Sequence, residues 1–529
     1  MTRTRAAGLL ALLVAALVTA VTIRFNTFAP WGTDAAAYVE SAHRWVAGRL
    51  LEPSPVALWA PWTVEATITT PLGFRPGLPT GTDVTEYPPG LPLLMAAALW
   101  LAGEAGPFVV APIGAGLLVL CAYGLARQLA GPWWGLLAAV LVAISPATVG
   151  MAVQPMSDVP VTALWTLAWL MSLRPGMGAS AAAGAAAAGA ILIRPNTAPL
   201  AAVVIVLVLL SRPGGIRAGA AWRAATVAGL MLALGPGLVM WAQTVLYGGP
   251  FTSSYRGGWD WMFALAHVPK NLVLIPRFLT MLHSPLLFAS VATPLLMARQ
   301  ARGDDAVPQA RLVAWSALSL ALVNVLIYLP YWPYEDPAFV RFQLLPITAL
   351  FVLLAGLSRH LWRFICRHFT VGLAGLALVP VVIVGAYPGA LLRYPLTIRD
   401  GQQRVPLMGR YLREVLPDNA VIITHLQGGA MAHYTNAPII RLDLIAASAL
   451  DPIVADLITH GYAPVLLLGD GDEGATLAAR FPDSRYRRLE WPPRARAFDV
   501  TGLSYYRVAD QVLHARSQRW PVDVLRPVE

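Results

Sequence analysis

Residues 87–103 read YPPGLPLLMAAALWLAG, and whether they cross a membrane fixes the side on which every later loop lies. The run is apolar but shorter than the ~20 residues that a bilayer-spanning helix needs. Pro88, Pro89 and Pro92 crowd its start, where each removes a backbone donor. Longer apolar blocks flank it. The first, 6–23, follows Arg3 and Arg5 and lacks a clear small-x-small cleavage site, so it reads as an uncleaved first span entering from the cytoplasm. Further spans are expected at 107–126, 133–151, 159–173, 179–193, 197–211, 222–246, 284–298, 312–330, 342–357 and 370–391.

Arginine placement settles the parity. If 87–103 does not span, one side collects Arg127, Arg174, Arg212, Arg217, Arg223, Arg299, Arg302, Arg311, Arg359, Arg363 and Arg367. Asp304 and Asp305 are then the only acids in those loops. Cytoplasmic loops carry such an excess of basic residues. Residues 87–103 are therefore expected as a re-entrant or interfacial helix on the outer face. The expected fold is a polytopic α-helical membrane protein with about eleven transmembrane helices and outer juxtamembrane helices. Its N-terminus is cytoplasmic and its C-terminus extracytoplasmic, in a cell (inner or plasma) membrane.

Composition agrees. Of 529 residues 57% are hydrophobic and 12% charged, about half the charge of a soluble domain. Collagen-like, disordered, disulfide-scaffold and nucleic-acid-binding classes are excluded. The formal charge of +10 comes almost wholly from arginine, with Lys270 the only lysine. Codon bias and loop topology account for it without an anionic macromolecular partner. Lys270 precedes Asn271, so no P-loop of the form G-x-x-x-x-G-K-[ST] exists. Cys121 and Cys366, in or beside apolar segments, offer neither a disulfide framework nor a zinc site.

With this parity the acids of residues 1–391 lie almost entirely outside. The first outer loop, 24–106, holds Asp34, Glu40, Glu52, Glu65, Asp83, Glu86 and Glu104. Asp158 opens a span from the outer side, and Arg194 sits at an outer turn. A second outer loop, 247–283, carries Arg256, Trp259, Asp260, Trp261, His267, Lys270 and Arg277, and a third holds Glu335, Asp336 and Arg341. Carboxylates and arginines gathered over helix ends point to a site at the membrane–water boundary. Residues 34–50 have helical periodicity, with Ala35, Tyr38, Ala42, Trp45 and Val46 on one face and Glu40, His43, Arg44 and Arg49 opposite. Such a helix lies flat at the interface. Asp34 at its start is either an N-cap or a general base.

The segments GTDAAAYVESAHRWVAGRL (32–50), EYPPG (86–90), PMSDVP (155–160) and LIRPN (192–196), in that order, resemble the GT-C superfamily of membrane glycosyltransferases. The resemblance is to the family 39 group, with the protein O-mannosyltransferases and the aminoarabinose transferase of lipid A, and it runs through residues 7–391. It implies a GT-C-like catalytic domain over residues 1–391, with Asp34 catalytic and Asp158 lining the site. The aminoarabinose enzymes place a lysine before the paired prolines, against the lipid phosphate. Tyr87 stands there in this chain, beside Glu86, so another cation must serve. The paired acids of the metal-dependent oligosaccharyltransferases are missing.

The resemblance implies transfer of a hexosyl or pentosyl group from a polyprenyl-phosphate-linked donor to a cell-envelope acceptor on the extracytoplasmic face. An aspartate base drives an inverting displacement. A carboxylate takes the hydroxyl proton, and a fixed guanidinium stabilises the departing phosphate. Candidate phosphate ligands are Arg194, Arg256, Lys270 and Arg341. Arg194 can instead snorkel to headgroups, and Asp158 can instead cap a helix. Trp259 and Trp261 suit sugar stacking or an interfacial belt. No cofactor is firmly implied, although a divalent cation is compatible. Expected partners are the lipid-linked donor, a glycan, lipid or protein acceptor and membrane lipid, with no nucleic acid. The competing reading is a polytopic lipid or polysaccharide transporter or flippase, which would place ionisable groups near the midplane.

Residues 400–529 regain soluble composition. AVIITHL (420–426), PVLLLGD (464–470) and GLSYYRV (502–508) read as strands, and 405–416 and 450–460 as helices. A small extracytoplasmic α/β domain is expected. GDGDEG (469–474) lacks EF-hand spacing and reads as an acidic turn.

Overall fold

The computed structural model describes residues 3–60, 66–252, 262–300, 308–368, 393–469, 472–498 and 502–527. The expected span 370–391 lies outside them. The bundle is built from α1 (Arg3–Arg24), α2 (Gly32–Val46), α3 (Gly90–Ala102), α4 (Gly106–Ala130), α5 (Pro132–Ala143), α6 (Pro146–Ala152) and α7 (Asp158–Ser172). It continues through α8 (Met177–Ile193), α9 (Leu200–Leu210), α10 (Gly219–Tyr247), α11 (Val268–His283), α12 (Thr293–Gln300), α13 (Pro308–Tyr328) and α14 (Leu344–His368).

The decisive stretch starts and finishes at one end of the bundle. Gly90, opening α3, packs against the backbone of Leu192 and Ile193 at the end of α8. At the other end of α3 the chain breaks at Gly103, with φ of +63°, and doubles back so that Gly106 lies on the backbone of Ala98. Asn26, just beyond α1, donates to Phe108 O at 2.9 Å, so α4 leaves from the end where α1 arrives. At ~1.5 Å per residue the α3 helix is also too short for a ~30 Å hydrocarbon core.

The arginine loops meet at the opposite end. Arg212 donates to Arg174 O at 2.5 Å, Arg359 donates to Leu129 O at 3.3 Å, and Gln309 reaches Leu173 O at 3.1 Å. The sorting of charge read from the sequence is thus a sorting in space.

Five helices among the described residues are long and apolar enough to cross a membrane, or up to seven if each of two bent pairs is one span. This is fewer than the expected eleven. The segment 133–151 is one bent pair, broken by 57° between α5 and α6, where Ser145 accepts from Thr148 N. The other is Leu265–His283 with Pro285–Ala298, bent by 104°. The expected second outer loop is therefore partly helix, because one face of α11 (Asn271, Leu274, Ile275, Phe278, Leu279, His283) is buried. The helices α7, α8 and α9 are only 15, 17 and 11 residues long. Their neighbours come very close: a Cβ on Gly184 would strike Ala228 O, and one on Gly235 would lie 2.6 Å from Ala188 O. Small residues permit that backbone approach in apolar bundles.

Beyond the bundle, β1 (Ala420–Thr424), β2 (Ile439–Arg441), β3 (Ala463–Gly469), β4 (Ala495–Ala497), β5 (Leu503–Arg507) and β6 (Asp523–Leu525) form one mixed sheet, ordered β2-β1-β3-β5-β4-β6. The strands β2, β1 and β3 run parallel. At their carboxyl edge the Glu473 carboxylate accepts from Gly469 N at 2.5 Å and Leu426 N at 3.4 Å, tying the end of β3 to the segment that follows β1. Of GDGDEG, Asp470 and Gly471 lie outside the described residues, and Asp472 opens a helix. Helices α15 (Arg393–Gln402), α16 (Arg404–Val415), α17 (Gly428–Thr435), α18 (Leu450–Thr459), α19 (Asp472–Arg480) and α20 (Asp510–Ala515) complete this part.

The first loop and the C-terminal sheet share their cores. Val56, Ala60 and Ile68 pack into one face of the sheet, and Ala36 of α2 into the other. A Cβ on Gly429 would sit 3.2 Å from Ala36 Cβ, so the start of α17 lies hard against α2. This corrects the reading of α2 as a helix with a wet polar face. Arg44 is only 3% exposed and bonds Glu40 Oε1 at 2.8 Å and Asp83 Oδ1 at 2.5 Å. Glu40 Oε2 meets His433 Nδ1 of α17 at 2.8 Å. Burial opposes ionisation of Glu40, but the His433 hydrogen bond and the Arg44 charge outweigh it and hold the carboxyl down to about 2. That depression supports the fold above the unfolded pKa near 4.5 and is lost as pH falls toward 2. Acid unfolding monitored by circular dichroism should set in at higher pH in Glu40→Gln than in wild type, because the variant lacks this contribution; coincident curves would show that the pair contributes nothing.

Candidate functional site

Five elements converge at the end of the bundle away from the arginine loops: the start of α2, the EYPPG turn before α3, the α8 terminus, the end of α10, and the 328–342 connection between α13 and α14. They enclose a cavity of about 410 Å³, whose lining includes Asp34, Glu86, Tyr87, Arg194, Arg341 and Phe342. Ligand cavities of such size commonly combine apolar walls with a few converging polar groups.

The Asp34 carboxylate is divided between two donors. Tyr87 donates its hydroxyl to Oδ1 at 2.6 Å, and Arg341 Nη1 donates to Oδ2 at 3.1 Å. The cap reading of Asp34 fails, since α2 begins at Gly32 after an N-cap Trp31 that makes no side-chain cap bond. Asp34 lies a full step inside the helix, its carboxylate aimed across the cavity and 28% exposed.

A second pair stands behind the first. Arg194 Nη2 donates to Asp158 Oδ1 at 2.9 Å and to Ser157 Oγ at 2.7 Å. Ser157 Oγ also accepts from Tyr38 at 3.2 Å. Asp158 is fully buried, so it supports Arg194 from beneath and is not part of the cavity wall. The reading of Arg194 as a snorkelling arginine fails too, because its guanidinium turns inward. Both guanidinium groups lie over the ring of Phe342, at 5.3 Å for Arg194 and 4.7 Å for Arg341. Phe342 in turn stacks on Tyr328 at 5.0 Å between centroids. Cation–π attraction with Asp34 and Asp158 as counter-charges fixes two cations side by side at the cavity floor.

Glu86 occupies the opposite wall. Burial pushes its carboxyl up to about 7, against the pull of Arg441 and Arg75. It is therefore neutral below pH 7 and anionic above. Because this lies above the unfolded value of 4.5, its contribution to stability is present at low pH and lost as pH rises through 7. Replacing Glu86 by glutamine should flatten the decline in thermal stability between pH 4.5 and 7. An unaltered slope would show that another group titrates.

One expected ligand falls elsewhere. Lys270 pairs with Glu335 at the surface, both half-exposed or more, and does not line the cavity. The reason is local: α11 carries it on the face away from the bundle. Arg256, with Trp259 and Trp261, lies outside the described residues. His43 approaches Glu104 at 3.4 Å and His433 edge-on, and His267 packs on Trp332. Among the described residues no three His, Cys, Asp or Glu side chains gather to hold a metal ion.

Sequence reading missed Tyr38, Ser157 and the aromatic wall of Tyr328, Tyr331, Tyr334 and Phe342. The spacing of the tyrosines in YLPYWPYED (328–336) was the available signal, and Phe342 directly follows Arg341. It also missed Tyr247, which donates its hydroxyl to Thr85 O at 2.7 Å.

No protein-family model matches the chain, and no curated protein matches it. Solved structures do. One is ArnT from Cupriavidus metallidurans bound to undecaprenyl phosphate, at TM-score 0.54 and 13% identity over 89% of this chain and 94% of that one. Another is the oligosaccharyltransferase AglB from Archaeoglobus fulgidus in complex with an inhibitory peptide and a dolichol-phosphate. It matches at TM-score 0.54 and 12% identity over 94% of this chain and 74% of that one. A complex of the Archaeoglobus oligosaccharyltransferase with Zn and sulfate also matches, at TM-score 0.51 and 12% identity over 93% and 73% of the two chains. At these identities the likeness is one of fold. The chain has the fold of the GT-C membrane glycosyltransferases, a multi-pass helical architecture.

Proposed function

We propose that the chain transfers a sugar from a polyprenyl-phosphate donor to an acceptor hydroxyl, on the extracytoplasmic side of a cell membrane. The observation that carries this is an accessible carboxylate, Asp34, paired with Arg341, with Arg194 beside it over the same Phe342 ring, in a GT-C bundle. ArnT is known with undecaprenyl phosphate and AglB with dolichol-phosphate, and a lipid phosphate suits the same floor here. The arginine loops at the far end support a cytoplasmic position for that end. On this reading the C-terminal sheet, which packs against the first loop and α2, lies on the outer side.

The chemistry follows from the charges. Asp34 takes the proton of the acceptor hydroxyl as its oxygen attacks the anomeric carbon. The bond from that carbon to the phosphate oxygen breaks, and the phosphate leaves with the electron pair. Negative charge thus moves from Asp34 to the phosphate, past Arg341, which exchanges one counter-ion for the other. Guanidinium groups already in position stabilise the charge that develops without reorganising. A single displacement of this kind inverts the anomeric centre. No metal is needed to close this balance of charge, and a divalent cation is given no role in it. A transporter reading would call for ionisable residues along a midplane pathway, whereas these two ion pairs cluster at one end of the bundle.

Two consequences are measurable here. In Phe342→Leu the arginines lose their common platform, and the KM for polyprenyl-phosphate sugar should rise about tenfold with little change in kcat, the equivalent of ~1.4 kcal/mol. An unchanged KM would remove Phe342 from the account. Donor KM should also rise as pH increases through 7, when Glu86 adds negative charge beside an anionic substrate, and Glu86→Gln should abolish that rise. The experiment for the reading itself is transfer of labelled sugar from polyprenyl phosphate by purified protein.

A further inference from the structure

A second cavity of about 220 Å³ adjoins the first, and the reaction just described makes no use of it. Tyr247 and Leu246 line both, so they form the partition. The two sides of that partition differ in chemistry. The main cavity has arginines, aromatic rings and the apolar side chains of Val239 and Ala242. The second is edged by threonines 69, 70, 80 and 82 and by Arg75.

Its walls are built. Arg75 is only 8% exposed, and its guanidinium lies 4.7 Å over the Tyr247 ring. Tyr247 is itself anchored to Thr85 O. Thr70 gives its proton to Thr67 O at 2.9 Å, and Thr82 gives its own to Pro79 O at 2.7 Å. Their lone pairs therefore remain to accept hydrogen bonds, while Arg75 can only donate. A ligand matched to this wall offers several hydroxyl donors and at least one acceptor. That describes a neutral polyol better than an anion, which would meet lone pairs at Thr70 and Thr82. The rim is open, since Thr80 is exposed.

We propose that this second cavity seats a saccharide ring of the acceptor, next to the portion whose hydroxyl reaches Asp34. This rests on the transferase reading and names its acceptor class as a glycan, or a glycolipid bearing one. The acceptor lies across Tyr247, with the ring held by Arg75 and the threonines. The lipid donor keeps the arginine side.

The test separates this from the transferase reading itself. Saturation-transfer NMR on the full chain in detergent would use methyl glycosides of glucose, mannose and arabinose as probes, at millimolar concentration. At least one glycoside should give a signal in wild type and in Asp34→Asn. That signal should weaken about tenfold in Thr80→Trp, which fills the cavity from its exposed rim, and in Arg75→Gln. Polyprenyl-phosphate binding should be unchanged in Thr80→Trp, which also shows that the variant is folded. A signal equal in wild type and Thr80→Trp would overturn the proposal. So would silence from all three glycosides, or displacement by inorganic phosphate, which would mark an anion site. Failure of the transferase reading would appear elsewhere, as absence of sugar transfer from the lipid.

Discussion

Asp34→Asn is expected to lower the rate of sugar transfer by about 10³-fold, the scale of losing a positioned general base, while donor binding stays intact or tightens. Asparagine keeps the shape of the side chain and can still accept the Tyr87 hydroxyl, so the start of α2 is undisturbed. It cannot take a proton from an attacking hydroxyl. It also leaves Arg341 without its counter-charge, and a lipid phosphate is then free to supply one. The combination of near-zero turnover with undiminished affinity is what separates a base from a structural carboxylate. Equal losses of binding and rate would assign Asp34 to holding Arg341 in place. Steady-state transfer and equilibrium binding of polyprenyl phosphate, measured on the same preparations, decide between the two.

Arg194→Gln should have the largest effect on stability. It strands the Asp158 carboxylate, which has no solvent exposure at all, and breaking a buried pair from one side costs about 3–5 kcal/mol. The double variant Arg194→Gln/Asp158→Asn removes the stranded charge and should regain most of that loss. It should not regain donor binding, because one of the two cations over Phe342 is gone. Thermal unfolding in detergent reads the first effect and binding of polyprenyl phosphate the second. If the double variant is as unstable as the single one, the pair is not what Arg194 contributes.

Much of this was legible in the sequence for physical reasons that can be named. Arginine sorting reported the two ends of the bundle because membrane insertion acts on those loop charges, and the three prolines of 87–103 told against a crossing. Asp34, Tyr87, Arg194 and Arg341 were each legible singly, as polar groups at the edge of apolar runs. Their pairing was not. Asp34 and Arg341 are 307 residues apart, and no local pattern links them. Phe342 was hidden for the same reason, since an aromatic at a helix start is usually lipid-facing or core. Glu40 and Arg44 were misread as a solvated face because the cover over them, His433 on α17, stands 393 residues further along the chain. The short helices α7 to α9 were read as spans from apolarity, and only their glycine and alanine contacts show how they sit inside the bundle.

The central claim is that this cavity moves a sugar off a lipid phosphate. The most direct measurement supplies purified protein, reconstituted in liposomes, with radiolabelled polyprenyl-phosphate sugar and a glycan acceptor, and follows the label. The account predicts that label leaves the lipid fraction and appears in the acceptor with inverted anomeric configuration, and that Asp34→Asn leaves it on the lipid. Label that never leaves the lipid, but moves with it from one leaflet to the other in wild type, would contradict the account and make the protein a transporter.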